Sequence, residues 1–315
     1  MTASCSPLFV EAWIEYNRRR WRTRAERIVL GKADGTPRLE AVVYRTRSGR
    51  IWQPPRNVYL PVAFETAPDT GAHRAYTQWT DLAQELAAQT AASGIKNTVN
   101  LLPEVTDVRP WQWEGLLTGV KYTLYQNFPY DITQANQSVR SRIKKARKAG
   151  YRCGRADSAA DVFVCLAETE KRSGFDAAYS LEQLEEAQRF VGPEHFRCYT
   201  AYAESGEPAA SYVVLHNAGG HALAWVISTR TRHLQSGVTQ LLHDHVVQDL
   251  QDAGAAGFDL AGANTESISA AKAGWGPRLV PYYHLQQYGP RRLAAYAFRG
   301  VQDMVGRAVA SRRHP

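Results

Sequence analysis

The segment that most constrains the fold is residues 257–285, which reads GFDLAGANTESISAAKAGWGPRLVPYYHL. Its pattern predicts a short strand, a turn of small residues at 261–264, a short helix up to residue 273, a Gly-Trp-Gly-Pro loop and a second strand. Lys272 stands just before the loop, and the small residues around it allow a ligand to approach the backbone closely. The alternative is a plain connector helix between two strands, with ordinary turn glycines.

The composition excludes several classes of protein. The chain has 315 residues, 44% of them hydrophobic and 22% charged, which is typical of a globular protein with room for two domains. The sequence has no apolar run long enough to span a membrane, and its start does not resemble a signal peptide. Four widely spaced cysteines form no metal-binding pair. We therefore expect a cytoplasmic protein without a bound metal, and a net charge of +8 is only a weak sign of a nucleic-acid partner.

The pattern of the sequence predicts that the order of helices and strands recurs in the two halves of the chain. A helix, a strand hairpin, a helix and further strands occupy the first half, and a Gln/Asn-rich boundary follows at 127–137. The second half has helices, three strands at 196–204, 208–216 and 220–229, a long helix at 234–253 and the strand at 257–261. This is an α/β (α+β) order that indicates two copies of one domain type. The predicted divisions are an N-terminal domain at 1–130, a C-terminal domain at 131–289 and a basic C-terminal helix at 290–315.

Six residues of the first segment resemble the C-terminal signature of the FemXAB family: Asp259, Gly262, Lys272, Gly274, Trp275 and Gly276. The chain departs from that signature at Ala271, where the family usually has an aromatic residue. The resemblance covers most of the chain and implies two tandem GNAT-like acyltransferase domains. No heptad run is present, so we expect no coiled-coil arm, as in the compact members of the family.

The resemblance also implies an activity, the transfer of an amino acid from aminoacyl-tRNA to a free amine with formation of a peptide bond. The acceptors it implies are cell-wall precursors or intermediates of peptide or nucleoside antibiotics, either free or bound to a carrier protein. The ester of aminoacyl-tRNA is already activated, so neither a protein nucleophile nor a cofactor is needed. The enzyme has to position the amine and stabilise the developing oxyanion.

The resemblance places the residues of the site. Lys272 is the expected catalytic residue, which neutralises the oxyanion or holds the terminal phosphate of the tRNA. The expected substrate-binding residues lie near this lysine or match family positions around the acceptor: Thr169, Lys171, Phe175, Trp225, Asn264 and Trp275. Core packing is the alternative role for Trp225.

The helix at 138–150 carries six basic residues and no acidic residue. Val139, Ile143 and Ala146 fall on one face, so the basic side chains occupy the rest of the helix surface. Like charges on a helix repel one another, and an anionic partner relieves that repulsion. We expect this helix and the C-terminal helix to bind the tRNA backbone through Arg140, Arg142, Lys144, Lys145, Arg147, Lys148, Arg291 and Arg292. A solvated helix face and an anionic membrane surface are the alternatives.

The stretch before the long helix bears on the acyl donor. It reads RTRHLQSGV from residue 230, which does not fit the spacing of the loop that holds the pyrophosphate of coenzyme A. An acyl-CoA-dependent N-acyltransferase of the GNAT superfamily stays the alternative function, and a non-catalytic RNA-binding protein is the third. Within the helix, His245 falls on the apolar face, so we expect it in the core and His243 to point elsewhere.

Overall fold

The computed structural model describes residues 5–32, 35–156, 158–174 and 179–287. The predicted C-terminal helix, with Arg291 and Arg292, lies outside these ranges, and so does Phe175. The helices within them are α1 (Glu11–Arg20), α2 (Ala72–Ser93), α3 (Arg109–Trp113), α4 (Gln137–Lys148), α5 (Ala159–Ser173), α6 (Leu181–Val191), α7 (Val238–Asp252) and α8 (Glu266–Ala273). None of these helices is both long enough and apolar enough to traverse a bilayer.

The strands form two sheets. In chain order they are β1 (Arg24–Gly31), β2 (Arg38–Arg45), β3 (Ile51–Trp52), β4 (Val62–Glu65), β5 (Thr98–Asn100), β6 (Leu116–Asn127), β7 (Arg152–Arg155), β8 (Phe196–Tyr202), β9 (Pro208–Leu215), β10 (His221–Thr229), β11 (Gly257–Asp259) and β12 (Arg278–Gln287). The mixture of helices and sheets confirms the predicted α/β (α+β) class.

The smaller sheet is built around β2, which pairs with β1, β3 and β4. The β1–β2 hairpin is in register from Arg24 opposite Arg45 to Gly31 opposite Arg38. Gly31 has φ +85°, and a Cβ at this position would lie 2.4 Å from the carbonyl oxygen of Pro37, so only glycine fits the turn. The hairpin predicted from its turn residues is therefore present.

The larger sheet has eight strands in the order β5-β12-β6-β11-β10-β9-β8-β7. Strand β12 pairs with β6 over ten residues, from Arg278 opposite Tyr125 to Gln287 opposite Leu116. These two strands come from opposite sides of the predicted division at residues 130 and 131, and one continuous sheet therefore crosses it. The division into domains stays a prediction.

The two faces of the larger sheet contact different cores, because successive side chains of a strand point to opposite faces. On one face, Leu223 and Trp225 belong to the same buried cluster as Trp13 of α1 and Leu166 of α5. On the other face, Phe258 packs with α4 and α7. The sheet is therefore covered on both sides, and its interior residues are shielded from water.

The long helix begins later than the sequence predicted, at Val238 rather than near residue 234. Its N-cap is Gly237, whose φ of +84° is left-handed, and residues 231–233 form a separate 3-10 turn. A Cβ on Gly237 would lie 2.2 Å from the carbonyl oxygen of Arg142 on α4. This close approach of two backbones fixes both the start of α7 and its packing against α4.

Candidate active site at the end of strand β11

Strands β10 and β11 lie side by side for only three residue pairs, the last of which is Leu223 opposite Asp259. Beyond that pair β10 continues to Thr229, with a bulge between Ala224 and Val226. Strand β11 ends at Asp259, and the backbone then turns at Ala261, a non-glycine residue with φ +54°. The two strands therefore part at Asp259, and the turn at Ala261 is a strained conformation of the kind that functional sites often hold.

Lys272 of α8 reaches back to this turn. Its Nζ donates hydrogen bonds to the carbonyl oxygens of Leu260, at 2.5 Å, and Ala261, at 3.0 Å. A Cβ on Gly262 would lie 3.3 Å from the same Nζ, so a small residue is needed beside it. An ammonium has three donors, and these two carbonyls accept two of them, which leaves one donor for a ligand.

Burial controls the charge of Lys272. Removal from water lowers the pKa of the ammonium to about 8, and the carboxylate of Asp259 opposes that shift. The group is thus mostly protonated at neutral pH, and it is poorly shielded by water. A charge of this kind interacts strongly with an oxyanion that forms next to it.

Asp259 is 3% exposed and accepts three hydrogen bonds from elsewhere in the fold. The hydroxyl of Tyr59 donates to Oδ2 at 2.8 Å, and the hydroxyl of Thr123 donates to Oδ1 at 2.5 Å. The backbone N–H of Ala261 donates to Oδ1 at 2.8 Å. Burial raises the pKa of the carboxyl to about 6, and these hydrogen bonds oppose the shift. Asp259 is therefore an ionised but weakly solvated carboxylate at neutral pH.

The carboxylate of Asp259 lines a cavity of about 40 Å³, together with Tyr59, Glu104, Tyr125 and His221. The hydroxyl of Tyr125 donates to Glu104 at 3.1 Å, and its ring stacks on His221 with 4.3 Å between centroids. Burial lowers the pKa of His221 to about 4 and raises that of Glu104. The space is enough for a few waters or a small polar group, and its two carboxyls favour an amine. None of the other four residues was singled out from the sequence.

His221 also presents an unpaired polar atom. Its Nε2 is buried without a hydrogen-bond partner within the described ranges. With a lowered pKa, the ring is neutral at pH 7, so one ring nitrogen is an acceptor. This nitrogen lies against Gly257, where an added Cβ would come within 2.8 Å of it, so a residue that lines the cavity has one buried polar atom without a partner among the described residues.

Two of the predicted substrate-binding residues lie on the same segment as Lys272. The side chain of Asn264 accepts from the N–H of Tyr122 and donates to its carbonyl, both at 2.8 Å. Trp275 is 5% exposed, and its carbonyl accepts from the hydroxyl of Tyr130 at 2.8 Å. Both residues anchor the segment that carries the lysine, and their contact with a substrate stays a prediction.

Three other predicted substrate-binding residues lie on α5 and β10. The hydroxyl of Thr169 is hydrogen-bonded to the N–H and the carbonyl of Thr229, and Lys171 is exposed at the end of α5. Trp225 is 6% exposed, and its ring centroid lies 4.9 Å from that of Tyr179. The position of Trp225 favours core packing, the alternative that the sequence left open.

The basic face predicted on α4 is present. The exposed side chains are Arg142, Lys144, Lys145, Arg147 and Lys148, whereas Arg140 is half-buried. Arg147 forms an ion pair of 2.8 Å with Asp244, and Lys145 donates to the carbonyl of Gln235. The α4 face thus has cations that form no ion pair with any described residue, beside cations that already have partners in the protein.

The prediction for the two histidines of α7 was wrong. His243 is 3% exposed and pairs with the hydroxyl of Tyr212 and the amide of Gln126, whereas His245 is half-buried. The ring centroid of His243 lies 4.1 Å from that of Trp275. The reason is that α7 packs against the sheet and also against α4, so its buried face is wider than a simple apolar stripe.

Residues 134–267 match the family model described as an acetyltransferase (GNAT) domain. The fold is similar to the crystal structure of FemX, with a TM-score of 0.62 and 11% identity over 87% of this chain and 90% of that chain. It is also similar to the C-terminal domain (DUF2156) of a protein assigned as a lysylphosphatidylglycerol synthetase from Agrobacterium fabrum. That match has a TM-score of 0.57 and 12% identity over 87% of this chain and 88% of that chain.

A further similar structure is L-PGS from Bacillus licheniformis, with a TM-score of 0.55 and 10% identity over 91% of this chain and 95% of that chain. No curated protein sequence matches the chain. At such low identity the structural likeness establishes the fold, and it agrees with the resemblance seen in the sequence. Residues 134–267 therefore match a GNAT domain model, and the chain has a fold similar to that of FemX.

Proposed function

We propose that the protein moves an amino acid from aminoacyl-tRNA to the free amine of a small-molecule or peptide acceptor. The observation that carries this proposal is the half-buried ammonium of Lys272, held by two backbone carbonyls where β10 and β11 part. The GNAT fold supports acyl transfer, and the FemXAB resemblance supports aminoacyl-tRNA as the donor.

In the proposed reaction, the acceptor nitrogen attacks the carbonyl carbon of the aminoacyl ester. The new C–N bond forms, and the carbonyl oxygen becomes an oxyanion, which the remaining donor of Lys272 stabilises. The C–O bond to the ribose then breaks, and the ribose hydroxyl is restored by a proton. The attacking amine loses one proton, which the carboxylate of Asp259 can accept because it is ionised above a pKa of about 6.

The acceptor amine is expected in the cavity beside Asp259. The carboxyl groups of Asp259 and Glu104 line that cavity, so its electrostatics favour a positively charged or hydrogen-donating group. His221 and Tyr125 are stacked there and offer a wall against which the chain of the acceptor can lie. The cavity is small, so it suits an amine at the end of a chain rather than a bulky group.

The donor tRNA is expected on the exposed basic face of α4. Arg142, Lys144 and Lys148 are exposed there and form no ion pair within the described ranges. Lysine and arginine side chains bind nucleic-acid phosphates without reading sequence, and the binding weakens as salt rises. This is the chemistry needed to hold a tRNA body while its 3′ end enters the site.

Coenzyme A is a poorer fit as the donor. The turn before α7, at residues 230–237, would have to bind its pyrophosphate, and carboxylates lie at that turn. Arg230 forms an ion pair of 2.9 Å with Glu168, and Arg232 pairs with Glu207. Gly237, at the start of α7, is in close contact with the carbonyl of Arg142. The cations of this turn are therefore already paired, and the two glutamates oppose a polyanion.

The donor can be identified by mixing the protein with tRNA charged with a pool of labelled amino acids. A low-molecular-weight cell extract would supply amines, and chromatography would follow the transfer of label into RNase-resistant products. A parallel reaction would contain labelled acetyl-CoA instead. We expect label transfer that requires intact tRNA, because the acyl ester of the tRNA is the proposed donor.

The matched variants are Lys272→Met and Lys32→Met, since Lys32 is an exposed lysine of the β1–β2 hairpin, away from the site. Loss of an oxyanion donor typically lowers turnover by about 10²–10³-fold, so we expect that loss for Lys272→Met only. Transfer from acetyl-CoA without any transfer from tRNA would refute the proposed donor. Unchanged turnover of Lys272→Met would refute the role of the lysine with either donor.

A further inference from the structure

One wall of the cavity beside Asp259 comes from the first residues of the described chain. Ser6, Pro7 and Leu8 line the cavity, and the last two belong to a single 3-10 turn, Pro7–Phe9. We propose that this N-terminal turn selects the acceptor, by limiting it to a primary amine at the end of an unbranched chain. The inference rests on the proposed function, to which it adds the class of acceptor and the part of the fold that selects it.

The lining of the cavity is partly acidic and partly apolar. Its carboxyl groups belong to Asp259 and Glu104, and no lysine or arginine lines it within the described ranges. Its apolar lining comes from four residues: Pro7, Leu8, Leu102 and Leu223. Carboxylates attract an ammonium, whereas a methylene group is better placed against apolar side chains than in water. This lining therefore suits a methylene group that ends in an ammonium.

The volume of the cavity limits how wide that end can be. The cavity has about 40 Å³, and a water molecule needs roughly 10–15 Å³, so there is room for about three water-sized groups. The nitrogen and the first carbon of a linear amine occupy two of these places. An amine on a quaternary carbon brings its nitrogen, that carbon and three methyl groups into the same space. A branched amine is therefore too wide unless a wall moves.

The N-terminal turn is firmly held, as a selective wall has to be. Leu8 is 2% exposed and belongs to the main hydrophobic core of the chain. The hydroxyl oxygen of Ser6 accepts a hydrogen bond from the N–H of Leu8 at 3.4 Å, and the carbonyl of Phe9 accepts one from Arg27 at 3.0 Å. Close-packed interiors resist the insertion of even one extra methylene group. The turn therefore does not yield easily to a wider ligand.

A close contact between two backbones fixes the distance from the N-terminal turn to β10. The carbonyl oxygen of Cys5 accepts a hydrogen bond from the side-chain amide of Asn217 at 3.2 Å. A Cβ on Gly220 would lie 2.0 Å from the same oxygen, so only glycine allows this approach. Gly220 and His221 line the cavity as the turn does, and this contact therefore sets the width between them.

The test compares n-butylamine with tert-butylamine as ligands of the protein, by ligand-detected nuclear magnetic resonance. The two isomers have the same charge, the same N–H donors and the same number of carbons, so they differ in width beside the nitrogen. No acyl donor is present, so the result is independent of aminoacyl transfer. We expect n-butylamine to bind in the millimolar range, as so small a ligand should, and about tenfold or more tightly than tert-butylamine.

Two variants should weaken this preference in different ways. Leu8→Ala widens the cavity directly, and Gly220→Ala displaces the N-terminal turn. Each should reduce the preference for n-butylamine by about tenfold, through tighter binding of tert-butylamine. The matched control is Leu39→Ala, because Leu39 is buried in the same core and does not line the cavity. It should lose stability and keep the preference.

Thermal unfolding of each variant would show whether the fold is retained, and Leu8→Val repeats the test at a smaller cost in stability. Equal affinity of the wild-type protein for the two isomers would overturn the proposal, and so would no binding of either. An unchanged preference in the folded Leu8 and Gly220 variants would overturn it as well, as would its loss in Leu39→Ala. A wild-type protein that keeps the preference but transfers no amino acid would refute only the proposed function.

Discussion

The burial of Lys272 predicts a dependence of stability on pH that methionine at this position would remove. The pKa of the ammonium falls from its ordinary value of 10.5 to about 8 in the folded chain. The unfolded chain therefore holds more protons at this residue between these two values. Its contribution to stability is smallest below pH 8 and rises as the pH approaches 10.5.

The size of the effect follows from the shift. One pKa unit corresponds to about 1.36 kcal/mol, and integration between pH 7 and pH 10 gives about 2.5 kcal/mol for the shift at Lys272. Lys272→Met has no ionisable group here and should lack this gain. At pH 7 the variant loses the desolvation cost of the charge, but the carbonyls of Leu260 and Ala261 lose their donor. The change in the free energy of unfolding between pH 7 and pH 10 is therefore a sharper test than its value at pH 7.

The assay is urea unfolding followed by circular dichroism at pH 7, 8, 9 and 10, for the wild-type protein, Lys272→Met and Lys32→Met. We expect the free energy of unfolding of the wild-type protein and of the Lys32 variant to change in parallel with pH. Between pH 7 and pH 10 the Lys272 variant should lose about 2.5 kcal/mol relative to both. Tyrosine ionisation is common to all three chains and cancels in the differences. Parallel curves for all three would refute the claim that the Lys272 ammonium is desolvated in the fold.

Three further predictions concern Asp259, the start of α7 and the α4 face. The rate of acyl transfer should fall as the pH drops below about 6, because burial raises the pKa of the Asp259 carboxyl to that value. In a pH–rate profile, Asp259→Asn should show no such fall at low pH, and its rate should be lower by about 10²-fold or more. Gly237→Ala should lower the thermal unfolding temperature more than Gly254→Ala does. Both glycines have positive φ, but only at residue 237 would the new Cβ lie against a backbone carbonyl oxygen, at 2.2 Å. Lys144→Gln and Lys148→Gln should each lower by about 1 the slope of log affinity for tRNA against log salt, measured by filter binding, and an unchanged slope would exclude phosphate contacts there.

Much of the fold could be predicted from local patterns. The strands predicted at 196–204, 208–216 and 220–229 are present as β8, β9 and β10 within two residues at each end. Local patterns contain nothing about the pairing of β12 with β6, because those strands are far apart in sequence. For the same reason, the start of α7 depends on a contact with α4 that lies outside the local sequence.

The candidate site could be predicted only in part. The FemXAB resemblance singled out Asp259 and Lys272, whose side chains the structure bonds to the same turn at Ala261. Tyr59, Thr123 and Glu104 were missed, because they reach Asp259 or its cavity from parts of the chain that are far from it in sequence. One local signal was available: the alternation along β6 places Thr123 and Tyr125 on one face, so two hydroxyl groups lie beside each other on a strand with a buried end.

The same burial acts in opposite directions on the two ionisable groups of the turn. It raises the pKa of the Asp259 carboxyl to about 6 and lowers that of the Lys272 ammonium to about 8. Both groups are therefore charged between these values, where the carboxylate can accept a proton from an amine and the ammonium can stabilise an oxyanion. On the surface, water would screen both charges and weaken their effect on a reacting ester. The strand β11 is short and covered on both faces, and this is what keeps the carboxylate and the ammonium together and away from water.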